Sequence, residues 1–163
     1  MGAKGLTLMS SAPAMGKQQA KSIRAREAIC EATIDSLVNM GYAETSLNRV
    51  AAAAGFSKGA LQYHFPSKED LIAATLNRLL ERPFKRPQHA PSNIEDALMF
   101  AWTRYIDTPA YRALLEILNA ARTDELLQVR VADDLLSWGL ALDLHSVEQF
   151  ESISGDNDEV VML

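Results

Sequence analysis

The sequence predicts an all-α protein, and three observations predict it. Every convincing apolar period has helical spacing, and no stretch alternates strictly as a half-buried strand does. Capping residues stand in front of the periodic runs, and glycine or proline stands behind several of them. At 163 residues the chain can form one compact domain, or two small ones sharing a core.

The elements follow in order. A first helix is expected from Ser22 to Met40, with Cys30, Ile34, Leu37 and Val38 facing inward and Gly41 as its stop. A second runs from about Ser46 to Ala54, capped by Thr45 or Ser46, with Leu47, Val50 and Ala51 inside and Gly55 at its end. Ser57 caps a short third helix, Lys58 to Phe65, which Pro66 terminates. Ser67 caps a fourth, running to about Arg82 on a stripe of Leu71, Ile72, Leu76, Leu79 and Leu80. Three prolines between Pro83 and Pro91 mark a stiff linker.

Beyond the linker, Ser92 and Glu95 form a capping box for a fifth helix that buries Ile94, Leu98, Trp102 and Tyr105. Thr108 and Pro109 open a sixth, with Leu114, Leu115, Leu118 and Ala121 inside. Thr123 opens a longer one carrying Leu127, Val131, Leu135, Trp138 and Leu142 on one side. Ser154 to Asp158 reads as a loop, and Glu159 to Leu163 reads as the first turn of an apolar helix that is cut off.

Composition narrows the classes. No apolar run approaches the roughly 18 residues that span a bilayer. The first twenty residues make a poor signal peptide and read as a disordered extension. One cysteine, Cys30, allows no internal disulfide, so the cytoplasm is the expected compartment and the thiol is expected to be buried and inert. The net charge of −5 hides an asymmetry: residues 1–88 carry 12 Lys and Arg against 7 Asp and Glu, and residues 89–163 carry 4 against 14. A basic N-terminal part on an acidic C-terminal part suggests two jobs.

The short third helix is the most informative segment. Two helices joined through a glycine turn, the second very short, form a helix-turn-helix. Gly55 allows the positive φ of such a turn, and Ala51 lets the two helices cross closely. On a helical wheel Leu61 and Phe65 face in, while Gly59 and Tyr63, flanked by Ala60 and Gln62, face out. Small residues let the backbone approach a duplex; Gln62 can pair with a base edge, and Tyr63 can donate to a phosphate. Lys58 sits at one helix start and Lys68 at the next, where anions are favoured. His64 lies at the edge of the inner face, where a core role and a phosphate contact are both open.

The block Thr45 to Ile72, TSLNRVAAAAGFSKGALQYHFPSKEDLI, and above all its SKGALQYHFPSKEDL portion, resembles the DNA-binding domain of TetR-like (tetracycline-repressor-type) transcriptional regulators. The resemblance is close over roughly a third of the chain. It implies a helix-turn-helix DNA-binding domain over residues 21–66, a connector helix and linker over 67–90, and a helical ligand-binding and dimerisation domain over 91–163 without its last helices. It further implies a homodimer on a near-palindromic double-stranded DNA operator, released by a small-molecule effector, with no cofactor. Thr45 and Ser46 would contact phosphate, Asn48 would point into the major groove and Arg49 would lie near the backbone. Lys58, Gly59, Ala60, Gln62, Tyr63 and His64 would form the recognition surface, with Lys68 on phosphate.

Other chemistry is weakly represented. Asp156, Asp158 and Glu159 imitate the start of a calcium loop without its glycine and terminal glutamate. His89 and His145 lack partners at metal spacing. No nucleophile–base arrangement and no phosphate-cradling glycine loop occurs, so no enzyme is expected. Met99, Trp102, Tyr105, Leu114, Leu118 and Trp138 are candidates for lining an apolar ligand pocket, against the plainer reading of packed core. The alternative function is a helical interaction protein that keeps the fold and has lost DNA binding.

Overall fold

Helix α1 (Lys17–Glu44) carries the whole arrangement, because both apolar clusters of the protein rest on it. The computed structural model describes residues 16–81 and 93–149, the last eight as backbone alone. After α1 come α2 (Leu47–Ala53), α3 (Lys58–His64) and α4 (Lys68–Leu80). The C-terminal part holds α5 (Ile94–Ala101), a π-helical turn (Trp102–Ile106), α6 (Pro109–Ala121) and α7 (Glu125–Gln149). Among the described residues there is no strand, and no helix is long and apolar enough to cross a membrane.

Capping chemistry sets these boundaries. Ser46, Ser57, Ser67 and Thr108 accept from the amides of Arg49, Ala60, Asp70 and Tyr111, as their positions suggested. Two caps sit one residue later than expected. Asn93, paired reciprocally with Asp96, starts α5, and Asp124 starts α7 by accepting from Leu127. The first helix begins at Lys17, ahead of the expected Ser22. Gly41 adopts φ 77°, ψ 172°, so the helical run breaks there and resumes for one short turn. The linker Pro83–Pro91, Ser92, and the C-terminal segment including Ser154–Leu163 lie outside the described residues.

Two cores share α1 and α4. The smaller joins Ile29 and Cys30 of α1, Val50 and Ala51 of α2, Leu61 of α3, Phe65 and Leu71. The larger joins Ile34 and Leu37 of α1 to Ile72 and Leu76 of α4, Ile117 of α6 and Leu127 and Val131 of α7. The buried stripe of α6 differs from the expected one. Ala113, Ile117, Ala120 and Ala121 are buried, while Leu115 and Leu118 are exposed. The three alanines permit close approach to α1, and leucines in their places would hold the helices apart. Helix α5 has no buried residue, so Ile94, Leu98 and Trp102 do not form the expected inner face.

Polar side chains tie α4 to its neighbours: Asn77 donates to Asp134 of α7 at 3.0 Å and Arg78 to Glu31 of α1 at 2.7 Å. Ser67 and Asp70 bond each other reciprocally, and Arg130 of α7 donates to Asp70 at 2.9 Å. The hydrogen bonds from Arg130 and then Ser67 hold the Asp70 carboxyl below its ordinary range.

Two predictions follow from this geometry. Gly41→Ala puts a Cβ at positive φ, 3.3 Å from Glu116 Oε2, whereas Gly55→Ala meets open space at φ 73°. Both are expected to destabilise by about 1–2 kcal/mol through the left-handed backbone alone, with Gly41→Ala the more costly, as read by urea unfolding. Asp70 contributes stability that is present above the unfolded carboxyl value of about 3.9 and is lost as pH falls through its lower folded value. Asp70→Asn is therefore expected to flatten the acid limb of the stability curve below about pH 4.

Candidate nucleic-acid interface

The α2–α3 pair is built to hold one helix still with its outer face in water. A seven-residue helix is not stable alone, so α3 depends on its neighbours. Leu61 and Phe65 anchor its inner side at 0% and 1% exposure. The turn before it closes through Phe56 N–H donating to Ala51 at 2.9 Å, with Gly55 at φ 73°. Ala51 is buried at this crossing, as its size suggested.

Arg26, which the sequence reading did not single out, holds the far end of α3. Its guanidinium donates to the His64 carbonyl at 2.8 Å and lies 4.3 Å from the Phe65 ring centroid. It thus satisfies a C-terminal carbonyl of α3 and stacks on an aromatic anchor at once. Its position on the α4-facing side of α1 was the available signal; the partner, 38 residues away, was not.

The outer face carries the side chains that the sequence proposed. Lys58, Gly59, Gln62 and Tyr63 are exposed, with Tyr63 at 84%, and Ala60 and His64 are half-buried. The Tyr63 and His64 rings meet edge to face at 5.2 Å. No Cβ neighbour lies near Gly59, so the first turn of α3 offers bare backbone. Lys58 has no ion-pair partner among the described residues. On α2, Asn48 is exposed, and Arg49 pairs with Glu44 at 2.7 Å while half exposed. A surface pair of that kind is worth about 0–1 kcal/mol, so a phosphate can take Arg49 from Glu44.

Two expectations need correction. Thr45 is fully buried: its hydroxyl donates to Gly41 at 2.8 Å and shares a hydrogen bond with Ser36, so it cannot reach a phosphate. Lys68 is turned inward. Its ammonium donates to the Tyr42 carbonyl at 2.7 Å and sits over the Tyr42 ring, and burial pushes its pKa down. It is a structural tie rather than a free phosphate contact. Of the suggested pocket residues, Met99, Trp102 and Leu118 are exposed, while Tyr105, Leu114 and Trp138 are half-buried among the described residues. Helix α5 bares its apolar face, which explains the first two.

Burial pushes the Cys30 thiol up, which disfavours the nucleophilic thiolate. Among the described residues no group of three His, Cys, Asp or Glu could hold a metal ion.

Comparison with known proteins converges on this segment. Residues 29–75 match the family model described as bacterial regulatory proteins, tetR family. The uncharacterised HTH-type transcriptional regulator Rv2912c of Mycobacterium tuberculosis is 37% identical over 107 residues, 61% of this chain and 54% of that protein. The HTH-type transcriptional regulator RutR of Escherichia coli K12 is 38% identical over 66 residues, 40% of this chain and 31% of RutR. The chain thus spans about half the length, or less, of these relatives. Among solved structures, a candidate TetR-family transcriptional regulator from Rhodococcus sp. superposes with a TM-score of 0.60 at 23% identity, covering 85% of this chain and 81% of that one. NalD, the secondary repressor of the MexAB-OprM multidrug efflux pump in Pseudomonas aeruginosa, gives 0.52 at 22% identity, covering 83% and 71%. At those identities the structures show a shared fold.

The Arg26 clamp gives a direct test of how α3 is held. Arg26→Gln is expected to lower unfolding stability by about 1 kcal/mol, read by urea titration. It should also raise amide exchange in α3 ahead of α4.

Proposed function

From the match of residues 29–75 to the model of bacterial regulatory proteins, tetR family, and from the HTH-type relatives, we propose that this chain belongs to that family and is a DNA-binding transcriptional regulator. The observation that carries the reading is the outer face of α3. A short helix, anchored by two fully buried residues, holds a cation, bare backbone, an amide and a phenol toward solvent. Those are the groups that position on phosphate and read base edges. The HTH-type regulators that match this segment at 37% and 38% identity support the same reading.

In this reading Tyr63, Lys58 and Arg49 contact the backbone of the duplex, and Ser46 adds its hydroxyl at the start of α2. Gln62 reads a base in the major groove, with Asn48 beside it. The working species is a homodimer on a near-palindromic operator, with its two α3 helices about 34–36 Å apart to meet successive major grooves. A small-molecule effector that favours another separation weakens operator binding by its differential affinity for the two states. The setting is the cytoplasm, and the protein is not an enzyme.

The test is binding to a duplex selected from a random library, at two salt concentrations. Lys58→Ala is expected to weaken binding similarly across sequences and to reduce the salt slope by about one. Gln62→Ala should change the sequence preference instead. Unchanged affinity in a Lys58→Ala, Tyr63→Ala double variant would reject the site, and a wild-type chain that ignores every duplex would favour an interaction protein of the same fold.

A further inference from the structure

The chain enters the α2–α3 pair at one place and leaves it at another, and one residue stands between them. The chain leads into α2 through the break at Gly41, and it leads out of α3 through Phe65, Pro66 and Ser67 into Lys68. Tyr42 stands between them. Its amide donates to Glu116 Oε2 of α6 at 3.1 Å. Its hydroxyl donates to Asp124 Oδ2, ahead of α7, at 2.7 Å. Its carbonyl accepts from Lys68 Nζ of α4 at 2.7 Å, and the same ammonium lies 3.8 Å from its ring centroid.

We propose that Tyr42 is the positioning residue of the α2–α3 pair and the point at which the C-terminal helices control its pose on DNA. The proposal rests on the DNA-binding reading above and adds its regulation. Three arguments support it. Each polar group of Tyr42 goes to a different element, so no shift of α6, α7 or α4 leaves it undisturbed. The residue follows a glycine at φ 77°, where α1 is not continuous, so it can rotate without unwinding the long helix. Asp124, which takes the hydroxyl through one oxygen, caps α7 through the other by accepting from Leu127 at 3.0 Å. A change that moves the start of α7 therefore pulls on the segment that leads into α2.

Coupling of this kind is reciprocal. Holding α3 on DNA must then steady the first turn of α7. Tyr42→Phe keeps the ring, the peptide groups and the Lys68 contact, and removes the bond to Asp124 alone. Asp124→Ser retains a good cap and is too short to keep the bond to the Tyr42 hydroxyl.

The experiment is amide hydrogen exchange on the full chain, with and without a duplex selected by the wild-type protein from a random library. In the wild type, duplex is expected to slow exchange in α3 and also at Leu127 and Gln128, the latter by about fivefold or more. In Tyr42→Phe and in Asp124→Ser the α3 protection should remain and the α7 response should vanish. An α7 response that is absent from the wild type, or that persists in both variants, overturns the proposal. A wild-type chain with no protection in α3 instead rejects the DNA-binding reading, and the proposal falls with it.

Discussion

The break at Gly41 is the constraint on which the rest depends. A continuous α1 would carry Tyr42 to Glu44 straight on along its axis, and the chain could not turn back into α2. The positive φ makes the turn possible, and the contacts of Tyr42 make it definite. Glu116 Oε2 sits 3.3 Å from the place a Cβ at position 41 would occupy, so the same carboxylate that fixes the turn would have to shift by a few tenths of an ångström to admit a side chain there. Backbone freedom and polar restraint are thus concentrated at adjacent residues, and the orientation of α2 and α3 follows from both.

The two cores explain why so small a pair of helices can be rigid. Neither α2 nor α3 reaches eight residues, and helices of that length do not persist in water. Their apolar residues close onto α1 and α4. Those two long helices are themselves held by a second core with α6 and α7. Rigidity is borrowed in sequence: the C-terminal body fixes α1 and α4, and these fix the outer face of α3. This ordering also separates the charges, since the basic part carries the outer face and the acidic part carries the supports.

Much of this was legible in the sequence, because serine caps, glycine stops and i, i+4 spacing are local signals. The caps at Ser46, Ser57, Ser67 and Thr108, the glycine turn at Gly55 and the anchors Leu61 and Phe65 were all readable. What escaped depended on distance. Lys68 has the sequence position of a surface cation, and only the fold brings the Tyr42 carbonyl and ring to it. Thr45 looked like a cap, but Ser36, nine residues earlier, shares its hydroxyl in the core. In α6 the leucines drew the prediction by size, while alanines took the interface because close packing on α1 favours small side chains.

The cations near α2 and α3 sort by how firmly they are held, and this bears on how the outer face works. Lys68 is half-buried, bonded to a carbonyl and stacked on a ring, so moving it to a phosphate would break the tie between α4 and the Gly41 turn. Arg49 is held by Glu44, through an exposed carboxylate, a pairing that water and salt already weaken, and through its carbonyl at 3.1 Å. Lys58 is held by no ion pair among the described residues. Arg26 is committed to the end of α3. Of these four cations, the two that can meet an anion, Lys58 and Arg49, lie on α3 and α2, and Arg26 and Lys68 hold those helices in place. An approaching phosphate can take up Lys58 freely, whereas Arg49 must first leave the carboxylate and the carbonyl of Glu44.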